Sequence, residues 1–263
     1  MHCNLEKFPA SFFENLVSIR MINVAIYENE VEKVLEYSTK LTELEISPLK
    51  CSVDYMLERI QDAERIKKII TVHGTYISAK GINVISSMNS LKELCIRNVA
   101  DSSDLSSLNI MNAFKTGSLH NLVRCELDFV FLDDACLKII SNQCQKLEIF
   151  GINNTEKLTD NGVYHIAFNL NYLKELSLEK CVNISEDSVK VLIANCKNLE
   201  LLNIKHTFVS KSYCDKELFI KETEVHCSHK GCINYKSDVL SEYFDDSEYD
   251  DDSYSFKDYR YRR

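Results

Sequence analysis

The sequence predicts an α/β solenoid, in which each repeat adds one strand to a parallel sheet and one helix to an outer layer. The first observation is a triplet of mostly apolar residues at the first, fourth and sixth positions of a short segment. This triplet recurs with the leading residues Leu16, Leu41, Ile66, Leu91, Leu122, Leu147, Leu173 and Leu199. The second observation is the even spacing of these leaders, 25, 25, 25, 31, 25, 26 and 26 residues. A fixed period of this length indicates stacked repeats rather than separate globular units.

The third observation is a helix signal after the strands. In "LTDNGVYHIAFNL", Asp160 precedes Val163 and Ile166, and "ISEDSVKVLIANC" has the same plan after Ser185. A Ser, Thr or Asp at the entry, followed by an apolar stripe every three to four residues, is typical of a short amphipathic helix. Strand, helix and period together form the pattern of a leucine-rich repeat. We therefore expect about eight repeats in a horseshoe with an inner parallel sheet and outer helices.

The repeats divide the chain into three predicted parts. Residues 1–15 form an N-terminal capping segment, in which Phe8, Phe12 and Phe13 cover the open end of the core. Residues 16–236 form the leucine-rich repeat domain with its C-terminal cap. Residues 237–263 have no periodicity and are rich in Asp, Ser and Tyr, a composition that predicts a disordered acidic tail.

The charge and the cysteine content limit the cellular compartments and the classes of partner that are compatible with the sequence. The net charge of −9 disfavours a surface that follows nucleic-acid phosphates. Glu6, Lys7 and Glu14 interrupt the N-terminal segment, and the apolar runs are too short to span a membrane. The 11 cysteines are odd in number and scattered, which favours free thiols in a reducing compartment. We expect a cytoplasmic or nuclear monomer that binds neither nucleic acid nor membrane.

The positions of the cysteines indicate which subtype of leucine-rich repeat this is. Cys181 occupies the ninth position of its repeat, and Cys144 and Cys196 each stand three residues before the next leading leucine. The arrangement C-x-x-L-x-x-L-x-L-x-x-C-x-x-I-[ST], clearest from Cys144 to Thr207, resembles the cysteine-containing leucine-rich repeats of F-box/LRR proteins. Those proteins are the substrate receptors of Skp–cullin–F-box (SCF) ubiquitin ligases. The resemblance implies a non-catalytic substrate-recognition domain in ubiquitin-dependent degradation, with SCF components among its partners.

The N-terminal residues depart from that family. Its members carry an F-box ahead of the repeats, whereas here "FPASFFENLVSI" runs directly into the first strand. These residues therefore do not predict docking to the ligase adaptor. The alternative function is a stand-alone leucine-rich repeat scaffold or inhibitor with no link to ubiquitin.

The concave face of the predicted sheet is the expected binding surface. Residues at the third, fifth and seventh positions of each repeat point to this face, because alternate side chains of a strand share a side. Aliphatic side chains beside arginine are typical of interface hot spots. Single exposed aliphatics are also common without any function, which is the alternative. The predicted partner-binding residues are Ile70, Val72, Arg97, Arg124, Asp128, Phe129, Ile149, Glu175, Glu179 and Lys205.

No catalytic or cofactor motif is found in the sequence. It contains no glycine-rich phosphate loop, nucleophile elbow or paired metal-binding histidines on a helix, so we predict a protein that is not an enzyme and needs no cofactor. Asp133 and Asp134 stand at a helix entry, where carboxylates stabilise the positive end of the helix dipole. A Cys/His group after the last repeat has the donor types of a zinc site, and the alternative is a cap that packs on the final repeat. Its members are Cys214, Cys227, His229 and Cys232.

Overall fold

A computed structural model describes residues 5–48, 51–71, 77–97, 105–128, 131–210 and 224–226, and in them the strands form one parallel sheet in chain order. The strands are β1 (Ser18–Val24), β2 (Glu43–Pro48), β3 (Lys68–Thr71), β4 (Glu93–Ile96), β5 (Arg124–Leu127), β6 (Ile149–Ile152), β7 (Glu175–Ser177), β8 (Leu201–Asn203) and β9 (Glu224–His226). The helices are α1 (Glu28–Tyr37), α2 (Val53–Glu58), α3 (Ala79–Ile85), α4 (Ser107–Lys115), α5 (Asp134–Gln143), α6 (Asp160–Asn169) and α7 (Glu186–Asn195). The predicted α/β leucine-rich repeat solenoid is confirmed.

The period of the sequence sets the register of the sheet. Arg124 pairs with Ile149, and Ile149 pairs in turn with Glu175, so equivalent positions of successive repeats lie side by side. One strand, β9, extends the sheet beyond the eight predicted ones. The repeat pattern missed it because Glu222 stands where the other repeats have an apolar leader.

The core lies between the sheet and the helices. The first, fourth and sixth positions of the repeats are buried there, as Leu147, Phe150 and Ile152 show. The apolar stripes of the helices close the other side, with Val163 and Ile166 of α6 fully buried. Each such side chain contributes roughly 1.5–3 kcal/mol relative to an exposed one. The repeats therefore share one continuous hydrophobic core.

A carboxylate at one helix entry binds the entry of the next helix. The carboxylate of Asp134 accepts hydrogen bonds from the Thr159 N–H at 2.9 Å and from the Thr159 hydroxyl at 2.6 Å. Asp160 accepts the equivalent pair from Ser185 at 2.7 and 2.6 Å. Asp133 caps α5 by accepting from the Cys136 N–H at 2.9 Å. The interpretation of Asp133 and Asp134 as helix-entry acids is confirmed.

The N-terminal segment covers the core with one aromatic ring instead of three. Phe13 is 2% exposed, whereas Phe8 and Phe12 are 39% and 54% exposed. The rings of Phe8 and Phe12 lie against each other, with centroids 4.9 Å apart. The prediction that all three rings cover the core is therefore wrong for Phe8 and Phe12. Phe12 ends the 3-10 helix at Ala10–Phe12, which has no buried residue, while Phe13 directly after it enters the core.

The helices of the described residues are short. None of them combines the length and the apolar composition that a helix needs to cross a lipid bilayer.

Candidate interaction site on the concave face

The C-terminal half of the concave face carries connected polar side chains on successive strands. The register places Glu126 beside Gly151 and Ser177 beside Asn203, all at the fifth position of their repeats. We call this surface the concave strip. It consists of Arg97, Arg124, Glu126, Asp128, Ile149, Asn153, Glu175, Ser177, Glu179, Leu201, Asn203 and Lys205.

A buried carboxylate joins two arginines at one end of the concave strip. Glu126 is 3% exposed and accepts a hydrogen bond from Arg97 Nε at 2.7 Å. Its other oxygen accepts from Arg124 Nη2. Burial lowers the pKa of both guanidinium groups, but attraction to Glu126 and Cys95 together with their hydrogen bonds outweighs burial and raises each pKa above its ordinary value. Both guanidinium groups therefore stay charged, and hydrogen bonds from ionised donors of this kind are the stronger ones.

A second set of hydrogen bonds runs across the ends of β5 to β8. Asn153 donates to Asp128 Oδ1 at 2.9 Å and accepts from the Ser177 hydroxyl at 2.6 Å. Asn203 donates to that hydroxyl at 3.0 Å and to Glu179 Oε2 at 2.9 Å. These side chains hold one another in place, because each is both oriented by and orients a neighbour.

Among the acids of this set, Asp128 has a raised pKa. Burial raises the pKa of Asp128 to about 6. The hydrogen bond from Asn153 lowers it, Glu126 and Glu179 raise it further by repulsion, and Arg97 opposes them. The side chain therefore changes charge in mildly acidic solution.

Most of the predicted partner-binding residues belong to the concave strip. Ile149, Glu179 and Lys205 are partly exposed, so a partner can reach them. Arg97 and Glu175 are nearly buried and act within the strip more than at its surface. The others on the strip are Arg124 and Asp128.

Ile70 does not form the exposed apolar spot that the sequence predicts. Its side chain is only 2% exposed, and in the sheet it lies between Glu45 and Cys95 at the same position of the neighbouring strands. Side chains of adjacent strands converge on the inner side of a curved solenoid, so this position is closed. The prediction of an exposed anchor at Ile70 is wrong. Val72 and Phe129 lie outside the described residues.

The sequence reasoning missed the residues that organise the strip. Glu126, Asn153, Ser177 and Asn203 occupy predicted concave-face positions, but no motif in the sequence distinguishes them from the other residues of that face. The available signal was a run of polar residues at the fifth and seventh positions of consecutive repeats. Such a run indicates cross-strand hydrogen bonding, since these positions are neighbours in the sheet.

Cysteines in the repeats are core residues and not reactive groups. The thiols of Cys144, Cys181 and Cys196 are buried and fill the core between the repeats. Burial raises the pKa of Cys144 and Cys181 to about 12, so both remain protonated near neutral pH. A protonated thiol is a poor nucleophile and a poor metal ligand. The candidate zinc ligands Cys214, Cys227, His229 and Cys232 lie outside the described residues, and the zinc hypothesis stays a prediction.

Part of the sequence is similar to that of a plant F-box protein. No protein-family model matches it. The F-box protein SKIP1 of Arabidopsis thaliana is 33% identical over 69 residues, which are 26% of this chain and 23% of that protein. The match therefore covers less than a quarter of the relative's length.

Solved structures resemble the chain over most of its length. The yeast Rad7 and Elc1 complex gives a TM-score of 0.54 at 15% identity, covering 79% of this chain and 62% of that one. The TLR13–ssRNA13 complex gives 0.53 at 18% identity, covering 86% and 31%. Internalin C2 of Listeria monocytogenes gives 0.50 at 17% identity, covering 84% of both chains. The chain therefore has the leucine-rich repeat fold, and a quarter of it is similar to an F-box protein.

Proposed function

We propose that this chain is a non-catalytic protein-binding module that engages its partner through the concave strip. The observation that carries the proposal is the set of cross-strand hydrogen bonds from Asp128 to Asn203. It fixes polar groups before any partner arrives, next to the partly exposed side chains of Ile149 and Leu201. Prior ordering of side chains reduces the entropy cost of association.

The finer role that we propose is substrate recognition, as in the F-box/LRR receptors of SCF ubiquitin ligases. The cysteine-containing repeat pattern and the 33% identity to an F-box protein over 69 residues support this role. The competing role is a stand-alone leucine-rich repeat scaffold or inhibitor. Nucleic acid is a poor partner for the strip, because the partly exposed Asp128 and Glu179 would face the phosphates.

Association with the ligase adaptor separates the two roles. The protein expressed from its full transcript is purified by affinity, and the Skp adaptor is sought in the eluate by immunoblot. A receptor retains the adaptor at a stoichiometric level. Loss of the adaptor under conditions in which a known F-box protein keeps it would favour the scaffold.

Site-specific cross-linking tests the surface itself. A photoreactive benzoylphenylalanine replaces Ile149 on the concave strip or, as the control, Lys190 on the exposed face of α7. We expect a cross-linked partner from position 149 and none from position 190. With that partner purified, Leu201→Asp should weaken binding at least tenfold, while Lys190→Glu leaves it unchanged. Equal affinity for both variants would remove the concave strip from the interface.

A further inference from the structure

The first strand of the sheet has a neighbour on one side only. β1 has seven residues, more than any other described strand, and among the described residues it pairs with β2 alone. The N-terminal capping segment is held by α1 instead. There the Leu5 N–H donates to Glu30 at 3.3 Å, and the Lys33 ammonium group donates to the Phe8 carbonyl at 2.9 Å. No described residue therefore pairs with the outer edge of β1.

Unpaired backbone groups of β1 point to that outer edge. The Val17 carbonyl accepts hydrogen bonds from the N–H groups of Thr42 and Glu43 at 2.8 and 3.1 Å, so it faces β2. The backbone groups of successive residues in a strand point to opposite edges, as the pairing of parallel strands requires. Ser18 and Arg20 therefore direct their N–H and C=O groups outward. An open edge of this kind is a template for a further strand.

The hydrophobic core is less completely covered at β1 than at β2. Ile19 and Met21 are 7% and 8% exposed, whereas their partners in the register, Leu44 and Ile46, are both 0% exposed. Val17, which leads into β1, is 52% exposed. The end of a stacked repeat protein needs such a cover, because each repeat buries its apolar face against a neighbour. A further strand with apolar residues beside Ile19 and Met21 would complete the cover.

The concave side of the same edge carries a cation with an unused donor group. The Arg20 side chain is 69% exposed and binds Glu45 through Nε and Nη2, each at 3.1 Å. Its Nη1 makes no hydrogen bond to any described residue, so the guanidinium group can bind a second carboxylate. The sheet already contains a charge pair of this type between strands, since Lys68 lies 3.1 Å from Glu93. Residues that pair across two strands lie side by side, so an acid opposite Arg20 is within reach.

We propose that the outer edge of β1 binds an extended segment of a partner protein as an additional strand of the sheet. The segment has an acidic residue opposite Arg20 and apolar residues on both sides of that acid, opposite Ile19 and Met21. Main-chain hydrogen bonds to Ser18 and Arg20 supply affinity, and the alternate side chains supply selectivity. This surface is separate from the concave strip, so it is a second protein-binding site.

A second copy of the chain fits this edge less well than such a segment. The residues of β1, SIRMINV, include no acid, so pairing β1 with β1 brings no carboxylate to Arg20. With Arg20 opposite Arg20, two like charges would lie side by side, which is unfavourable.

A peptide copied from the chain's own second repeat tests the proposal. The sequence LTELEIS of residues 41–47 has the required pattern at Leu44, Glu45 and Ile46. Added to the full chain, it should shift the amide NMR signals of Ser18 and Arg20 and bind with a Kd below about 1 mM. The peptide with Glu45→Lys should bind about fivefold more weakly, because an attractive cross-strand pair becomes a repulsive one.

Charge reversal in the protein provides the matched comparison. Arg20→Glu should bind the lysine peptide more tightly than the original peptide, whereas Lys68→Glu, which changes a cation on β3, should keep the wild-type preference. Circular dichroism checks that both variants fold. An unchanged preference in Arg20→Glu would overturn the assignment of the acid to Arg20.

Peptides N-methylated on alternate amides test the main-chain contacts without any change to the protein. One of the two peptides should lose binding, because its methyl groups replace the N–H groups that face β1, and the other should keep it. Equal binding of both, or no shift at Ser18 and Arg20, would overturn the proposal. So would a dimer of the chain alone that pairs through β1, or tighter binding at this edge by a peptide of the acidic residues 241–252, because the occupant would then be a second copy or the chain's own tail.

Discussion

The two halves of the concave face use charge in different ways. In the N-terminal half, Arg20 and Glu45 are 3.1 Å apart on adjacent strands, and the arginine side chain is 69% exposed. In the C-terminal half, Glu126 lies buried between Arg97 and Arg124. Water and salt screen the exposed pair, which contributes only about 0–1 kcal/mol. Charged side chains at equivalent positions of the repeat therefore contribute differently to stability, depending on how deeply they are buried.

A second feature is common to both halves. Asp54 accepts hydrogen bonds from the N–H groups of Ser78 and Gly81 at 3.0 and 3.1 Å, just as Asp134 accepts from Thr159 in the C-terminal half. The helices differ, since α2 has six residues and α5 has ten. The hydrogen bonds from an aspartate to the start of the next helix are therefore kept even where the helix is short.

The largest expected effect comes from Glu126→Gln in the buried cluster. The change leaves Arg97 and Arg124 buried without their shared carboxylate. Breaking a buried ion pair in this way costs about 3–5 kcal/mol of unfolding free energy. Urea denaturation followed by circular dichroism measures the loss. A loss below about 1 kcal/mol would mean that water reaches the cluster and that the contrast between the two halves is smaller than the structure shows.

Gly162→Ala should cost about 2 kcal/mol, although alanine is normally the better helix former. A Cβ atom at this third residue of α6 would lie 2.6 Å from Asp134 Oδ1 and would also overlap Leu158. Asp134 cannot retreat without breaking its hydrogen bonds to Thr159. Chemical denaturation should show the loss, while Asn161→Ala at the exposed neighbouring position should change stability by less than about 0.5 kcal/mol. A stabilised Gly162→Ala protein would show that this entry contact is adaptable.

Gly81→Ala tests whether the stability of the N-terminal half depends on the equivalent helix-entry contact, which Asp54 makes there. The added Cβ would meet Asp54 Oδ1 and would lie 2.8 Å from Ile77. A loss similar to that of Gly162→Ala is expected from the same measurement, again about 2 kcal/mol. A much smaller loss would mean that only the C-terminal repeats depend on the helix-entry contact for stability.

Thr71→Val should raise stability by about 1 kcal/mol. The Thr71 hydroxyl is fully buried on β3 and has no hydrogen-bond partner among the residues that the structure describes. The Thr42 hydroxyl, in contrast, donates to the Val17 carbonyl. Valine keeps the shape of the side chain and removes the unsatisfied group. Thermal unfolding measures the gain, and Thr42→Val is the matched control that should not be stabilised. A destabilised Thr71→Val protein would indicate that water satisfies the hydroxyl.

The smallest expected effect is that of Glu45→Gln in the N-terminal half. Loss of its exposed ion pair with Arg20 should cost less than about 1 kcal/mol. The cost should vanish in 1 M salt, whereas the larger cost of Glu126→Gln should persist. Unfolding measured at two salt concentrations makes this comparison. A salt-independent loss at Glu45 would contradict the distinction drawn between the two halves.

Local pattern was enough to predict the elements that repeat. The leading apolar residues located β1 to β8, and the predicted polar entries Asp160 and Ser185 lie at the starts of α6 and α7. The N-cap hydrogen bonds there are accepted by the side chains of Thr159 and Ser185. The pattern did not predict β9, because its repeat lacks an apolar leader. It also did not predict how far Ile70 is buried, since burial on a concave face depends on neighbouring strands and curvature. The binding role of the predicted face remains a proposal.

The sequence by itself determined the repeat, the strand register and the composition of the concave face, because each follows from the spacing of residues along one chain. Only the tertiary structure decided which of those residues interact. Glu126 joins two arginines from different repeats, and Asn153 links Asp128 to Ser177. The contacts of Glu126 with Arg97 and of Asn153 with Asp128 and Ser177 connect residues 24 to 29 positions apart, so they depend on side-chain rotamers and on the curvature of the sheet. Burial then determined how strong these contacts are, because the interactions of a carboxylate removed from water depend on its immediate neighbours.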